Sequence, residues 1–301
     1  MTPVVVAAVL AVTSGSGRSV TKAVAKHKQV FDDGRVREAV GSQISSFRDR
    51  WSPDALHGSR ERLLPVREAL VGLLPGGGLA RGSVVEVGGA AVVSLALLLA
   101  SGPSMAGSWV AVVGVADLGL VAAAELGVDL ERLVLIDQPE PDRWAAVAAS
   151  VIEAFDVVVA SPPHRVRAAD GRRLQARARE QGTVLVLVDV AAGRAGDNAR
   201  SPGKAGASRL AAGLWPEAAD LSLLATDPVW AGMEQGYGHL HSRQVQLTVG
   251  GRRRAARLRH ARLWLPGPAG EVALVEAGAG GAFRGGRGLA PEDPVALEQV
   301  G

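Results

Sequence analysis

Between residues 83 and 190 the chain repeats one unit: a short β-branched apolar run, a turn, and a stretch of helical length. The runs are Ser83–Val87, Trp109–Gly114, Leu133–Ile136, Val157–Ala160 and Thr183–Val190. Between them lie Ala91–Ala100, Leu118–Leu126, Trp144–Ala154 and Ala168–Gln181. Runs that are apolar at every position suit strands covered on both faces. Strands that return through helices pair in parallel through right-handed crossovers. The spacing therefore predicts an α/β fold, a mostly parallel sheet flanked by helices.

The flanking segments set the domain organisation. Pro53–Leu74 places Leu63, Leu64, Val66, Leu70, Leu73 and Leu74 on one face ending at Pro75, which predicts a lead-in helix covering an edge of the sheet. Beyond Val190, residues 191–207 carry Gly, Ala, Arg, Ser and Pro with no apolar period and read as a loop or linker. Strands are expected again at Ala219–Leu224 and His239–Thr248, and Arg257–Leu265 with Glu271–Glu276 forms a hairpin around Pro266-Gly267-Pro268. These C-terminal strands should be antiparallel. One domain is thus expected over 53–276, with a poorly defined extension at 1–50 and a Gly-rich, acidic, disordered tail at 277–301. Within the extension, Val4–Val12 is too short to span a bilayer and lacks a basic leader, so it reads as an irregular or helical segment of a cytoplasmic protein.

Composition narrows the chemistry. The chain has no cysteine, which removes disulfides, thiolate metal sites and cysteine nucleophiles. Its 33 basic and 30 acidic residues nearly cancel, so only a local cluster of charge could argue for a nucleic-acid partner. Two clusters exist. One follows the fourth run: Arg165, Arg167, Arg172, Arg173, Arg177 and Arg179, which suits a solvated helix. The other is Arg252, Arg253, Arg254, Arg257, Arg259 and Arg262, which could contact DNA phosphates, pair with an acidic partner, or guard the edge of a sheet.

The turn after the first run is the candidate site. Strand, Gly88-Gly89, then helix is the layout of a phosphate-binding loop. That chemistry needs several backbone N–H groups around the phosphates, a lysine, and a Ser or Thr for Mg²⁺. Here the glycines lead straight into Ala90-Ala91-Val92-Val93-Ser94, and no lysine occurs between Lys28 and Lys204. Gly88, Gly89 and Ser94 are what remains of such a loop, and no cofactor is expected.

GGGLARGSVVEVGG, from Gly76 to Gly89, resembles the opening of the RecA ATPase core, where a glycine-rich turn and a V-E-[IV] strand precede the phosphate loop. Ala123–Leu133 resembles the recombinase segment ending K-L-G-V-D, and Phe155–Val159 the Walker B strand. With gaps the resemblance covers about Pro65 to Val190, and it implies a RecA-like fold. On that alignment the water-activating glutamate falls on or near Val115 and the Walker B aspartate on Ala160. Asp117 and Asp156 lie close by, yet Asp156 precedes its strand instead of following it, the wrong end for a ligand. The resemblance thus implies a RecA scaffold without ATPase groups, not an enzyme.

The arginine cluster followed by Arg262-Leu263-Trp264-Leu265-Pro266-Gly267-Pro268 is similar to the actinobacterial form of ImuA, the RecA-like accessory family of the damage-inducible mutasome. That resemblance implies a non-catalytic adaptor in SOS-inducible translesion synthesis, working with the Y-family polymerase homologue ImuB and an error-prone polymerase. A SulA-like sequestering inhibitor and an atypical RecA-fold ATPase or recombinase are the alternatives. His239 and His241 share a strand face, but no third metal ligand lies at a suitable spacing.

Overall fold

The computed structural model describes residues 9–10, 63–116, 118–190, 214–234, 237–252 and 255–275. The tail at 277–301, nearly all of the 1–50 extension, Asp117, Arg253 and Arg254 lie outside them. Strands β1 (Val9–Leu10), β2 (Leu63–Leu64) and β3 (Leu79–Ala80) precede the repeating units. The five apolar runs form β4 (Val84–Gly89), β5 (Val110–Val113), β6 (Leu133–Ile136), β7 (Val157–Ala160) and β8 (Val184–Val188). Four strands follow: β9 (Leu221–Glu234), β10 (Tyr237–Gly251), β11 (Arg259–Trp264) and β12 (Ala273–Leu274). Among the described residues one large sheet has the order β1-β6-β5-β7-β8-β4-β9-β10-β11-β12. Pairing is parallel from β1 to β9 and antiparallel from β9 to β12. The α/β expectation and the antiparallel C-terminal strands are both found.

Side-chain alternation divides the core into two layers. Val85 and Val87 of β4 face one side, where α2 (Val92–Met105) and α3 (Leu120–Glu125) pack. Val84 faces the other, with α4 (Trp144–Ile152) and α5 (Ala168–Gln181). Gly127 ends α3: its φ is 94°, its N–H reaches Ala124 O, and the Val128 N–H returns to Ala123 O. Glu86 shares the parity of Val84, so its side chain faces the second layer, and the residue is only 5% exposed. Burial alone raises its pKa from 4.5 to about 7.

Three expectations are corrected. Among the described residues of the lead-in segment, 63–74, the helix is α1 (Glu68–Val71), because Pro65 holds Leu64 extended and Leu63–Leu64 pairs with Leu79–Ala80 instead; residues 53–62 lie outside the described residues. The hairpin of β9 and β10 extends well past the expected strands, carried through two register shifts that absorb unpaired residues. Within the N-terminal apolar run, Val9 and Leu10 add a short parallel strand beside Leu135 and Ile136, not a helix.

Candidate functional site

The glycine turn sits at the carboxyl end of β4, where parallel α/β sheets present their ligands. β4 stays paired to its last residue, with Gly88 opposite Leu224 and Gly89 opposite Ala225 of β9. The Ala90 N–H, the next donor along, reaches Ala225 O at 2.9 Å. Only Ala90 and Ala91 separate β4 from α2, and Ala91 caps the helix with no side-chain hydrogen bond. One backbone donor of the turn, the Ala90 N–H, is therefore taken by the neighbouring strand. Gly89 is required for that contact, since its φ is 92° and a Cβ there would lie 1.9 Å from Ala225 O.

Ser94, in the first turn of α2, is engaged by a residue 149 positions away. Arg243 of β10 is 8% exposed. Its Nη2 donates to Ser94 Oγ at 3.0 Å and its Nε to Leu265 O at 2.9 Å. The guanidinium also lies 4.8 Å from the ring centre of Trp230. A cation at the positive end of a helix dipole gains nothing from the helix, and these contacts help to offset that placement. Arg243 was legible in principle: it shares strand parity with Val245, Leu247 and Val249, all buried. An arginine on an apolar stripe signals a buried partner, and that signal lies outside any loop motif.

The other positions expected to carry chemistry are apolar or structural. Ala160 ends β7 fully buried, and Val115 packs against the first core layer. Asp156 lies at the amino end of its strand. There it binds Arg81 at 3.0 Å and accepts the Trp109 N–H at 3.1 Å. Asp189 directly follows β8 beside β4 and was not singled out from the sequence. His239 and His241 are exposed on β10, and the described residues contain no group of three or more His, Asp or Glu placed to hold a metal.

The C-terminal arginines among the described residues do not form one patch. Arg252 is exposed just after β10, and Arg257 is exposed in the loop before β11. Arg259 pairs with Val249 and Arg262 with Gln246, so they face opposite sides of β11. β12 pairs only with the Leu263–Trp264 end of that strand. A duplex lying on one face would meet one of these two, so replacing both with serine should lower the log–log salt slope of any DNA binding by at most ~0.9. A drop near twice that, read by titration at several salt concentrations, would contradict this geometry. The other cluster is a solvated helix, as expected, with Arg172 bound to Glu217, Arg177 to Glu153 and Arg179 to Asp220.

A family model described as "MT3502 N-terminal domain" matches residues 72–193. This span holds the glycine turn and all five runs. The Mycobacterium tuberculosis (strain ATCC 25618 / H37Rv) protein titled "Uncharacterized protein Rv3395c" is 40% identical over 120 residues. That match covers 39% of this chain and 57% of the relative, so the chain spans little more than half of the relative's length. The crystal structure of the RadB recombinase is similar at a TM-score of 0.45 and 18% identity, covering 69% of this chain and 97% of that one. Among the described residues no helix is long and apolar enough to cross a membrane.

Proposed function

We propose that this chain is a RecA-like adaptor that performs no nucleotide chemistry and serves translesion DNA synthesis in the damage response. The observation behind the non-catalytic part is the two-residue turn Ala90–Ala91, with Gly89 seated against Ala225 O. Phosphoryl transfer depends on positioning donors and metal around phosphate, and this turn has neither the length nor the lysine to do so. The cellular role rests on the sequence resemblance: the ordered RecA segments followed by Arg262-Leu263-Trp264-Leu265-Pro266-Gly267-Pro268. Its partners are then an ImuB-like Y-family polymerase homologue and an error-prone polymerase, met in the cytoplasm. Direct DNA contact through the arginines is a lesser part of the proposal, because they are divided between faces.

Affinity capture of the tagged full chain from cells treated with a DNA-damaging agent tests the cellular role. The two polymerase-type proteins should be recovered in amounts that exceed those from untreated cells. Capture of a cell-division protein without either polymerase would replace this reading with that of a sequestering inhibitor.

A further inference from the structure

At the opposite end of β4 from the glycine turn lies a cleft of about 390 Å³. Leu63, Leu221 and Ala255 give it an apolar lining, and three arginines from separate elements, Arg81, Arg179 and Arg252, converge on it. The turn Ala80–Ser83, closed by Ser83 N–H to Ala80 O at 3.1 Å, sets Arg81 in place. Gly82 in that turn has φ 76°, and a Cβ on it would lie 2.9 Å from the Arg179 Cα, so the turn rests on the last turn of α5. Arg252 is anchored by its own N–H to Asp220 O at 3.0 Å.

The charges around this cleft do not balance. Arg81 pairs with Asp156 at 3.0 Å and Arg179 with Asp220 at 3.6 Å. Each carboxylate also accepts a backbone N–H, from Trp109 and Val84 respectively. Arg252 is exposed with no ion pair among the described residues, and the buried Arg81 Nε has no hydrogen-bond partner among them. Three guanidinium groups thus face two carboxylates already shared with the backbone. No aromatic ring lines the cleft, so it has no platform for a base. An apolar wall beside planar donor forks suits a carboxylate carried on an apolar body.

We propose that this cleft docks an acidic, apolar peptide segment of a protein partner, its carboxylate held by Arg252 and Arg81 and its aliphatic side chains against Leu63, Leu221 and Ala255. This rests on reading the chain as a docking protein. It names the chemistry that the partner must present.

The test uses immobilised full-length protein and a labelled library of short peptides randomised over leucine, valine, aspartate and glutamate. Matched libraries replace the acids with lysine or the aliphatics with serine. The acidic, apolar library alone should be retained. Retention should weaken by at least about tenfold in Arg252→Glu, which reverses the charge that would meet the carboxylate, and in Ala80→Trp, which fills the cleft from an exposed position. Both variants should keep the wild-type melting temperature. No retention, equal retention of the serine library, insensitivity to both variants, or displacement by single-stranded DNA would each overturn the proposal. So would retention that appears only after residues 277–301 are removed and is blocked by those residues added back as a peptide, because the occupant would then be this chain's own tail. Mg-ATP turnover by the same preparation would sink the docking-only reading and leave the cleft standing. Failed retention in an ATP-inert preparation would sink the cleft alone.

Discussion

Glu86→Gln should stabilise the protein by about 3 kcal/mol at pH 8 and change little at pH 4. Burial raises the pKa of Glu86 from 4.5 to about 7. Between those two values the folded chain holds a proton that the unfolded chain has released. Stability therefore falls as pH rises through this window and levels off above the folded value. At about 1.4 kcal/mol per pKa unit, the full loss is on the order of 3 kcal/mol. Glutamine keeps the shape of the protonated acid and cannot ionise, so the pH dependence should vanish with it. Urea midpoints measured across the window decide the matter, and an equal slope in both proteins would mean that Glu86 ionises freely in the fold. A carboxyl inside a parallel strand has a cost at neutral pH that no hydrophobic residue would have here, and the sequence shows it only as the middle letter of V-E-V.

The second large effect is expected at Gly89. Alanine there should lower the melting temperature by about 6–12 °C, equivalent to roughly 3 kcal/mol for a domain of this size. Two causes add. The left-handed backbone disfavours any Cβ by about 1–2 kcal/mol, and the new Cβ would also meet Ala225 O at 1.9 Å, forcing β4 and β9 apart. Gly107 separates the two, because its φ of 93° nearly equals the 92° of Gly89 while a Cβ on it meets nothing within 4 Å. Gly107→Ala should therefore show the backbone part alone. Equal melting temperatures for the two variants would remove the close contact with Ala225 from the account.

Much of the fold is legible in the sequence, and the reason is physical. Strands buried on both faces are apolar at nearly every position, so Val110–Val113 and Val157–Ala160 announce themselves within a residue or two. The long hairpin is less visible. Its far half is exposed at Trp230, Met233, Tyr237 and Leu240, and its register shifts break the alternation that would mark it as strand. Pro65 leaves Leu63–Leu64 as strand where the apolar spacing favoured helix. At the site, the missing lysine and the short turn are plain from Gly88 to Ser94, whereas the apolar stripe around Arg243 signals a buried partner without saying that the partner is Ser94. Arg243 is distant in sequence and becomes its neighbour only when β10 lies beside β9. The cleft at the other end of the sheet was hidden for the same reason, since its three arginines belong to a turn, a helix end and a strand end.

The carboxyl end of β4 is expected not to accept a nucleotide, and calorimetric titration of the purified full chain with Mg-ATP tests this most directly. No saturable heat and no change in melting temperature are expected at millimolar nucleotide, in the wild type and in Ser94→Ala alike. Micromolar binding of Mg-ATP that is lost in Ser94→Ala would contradict it.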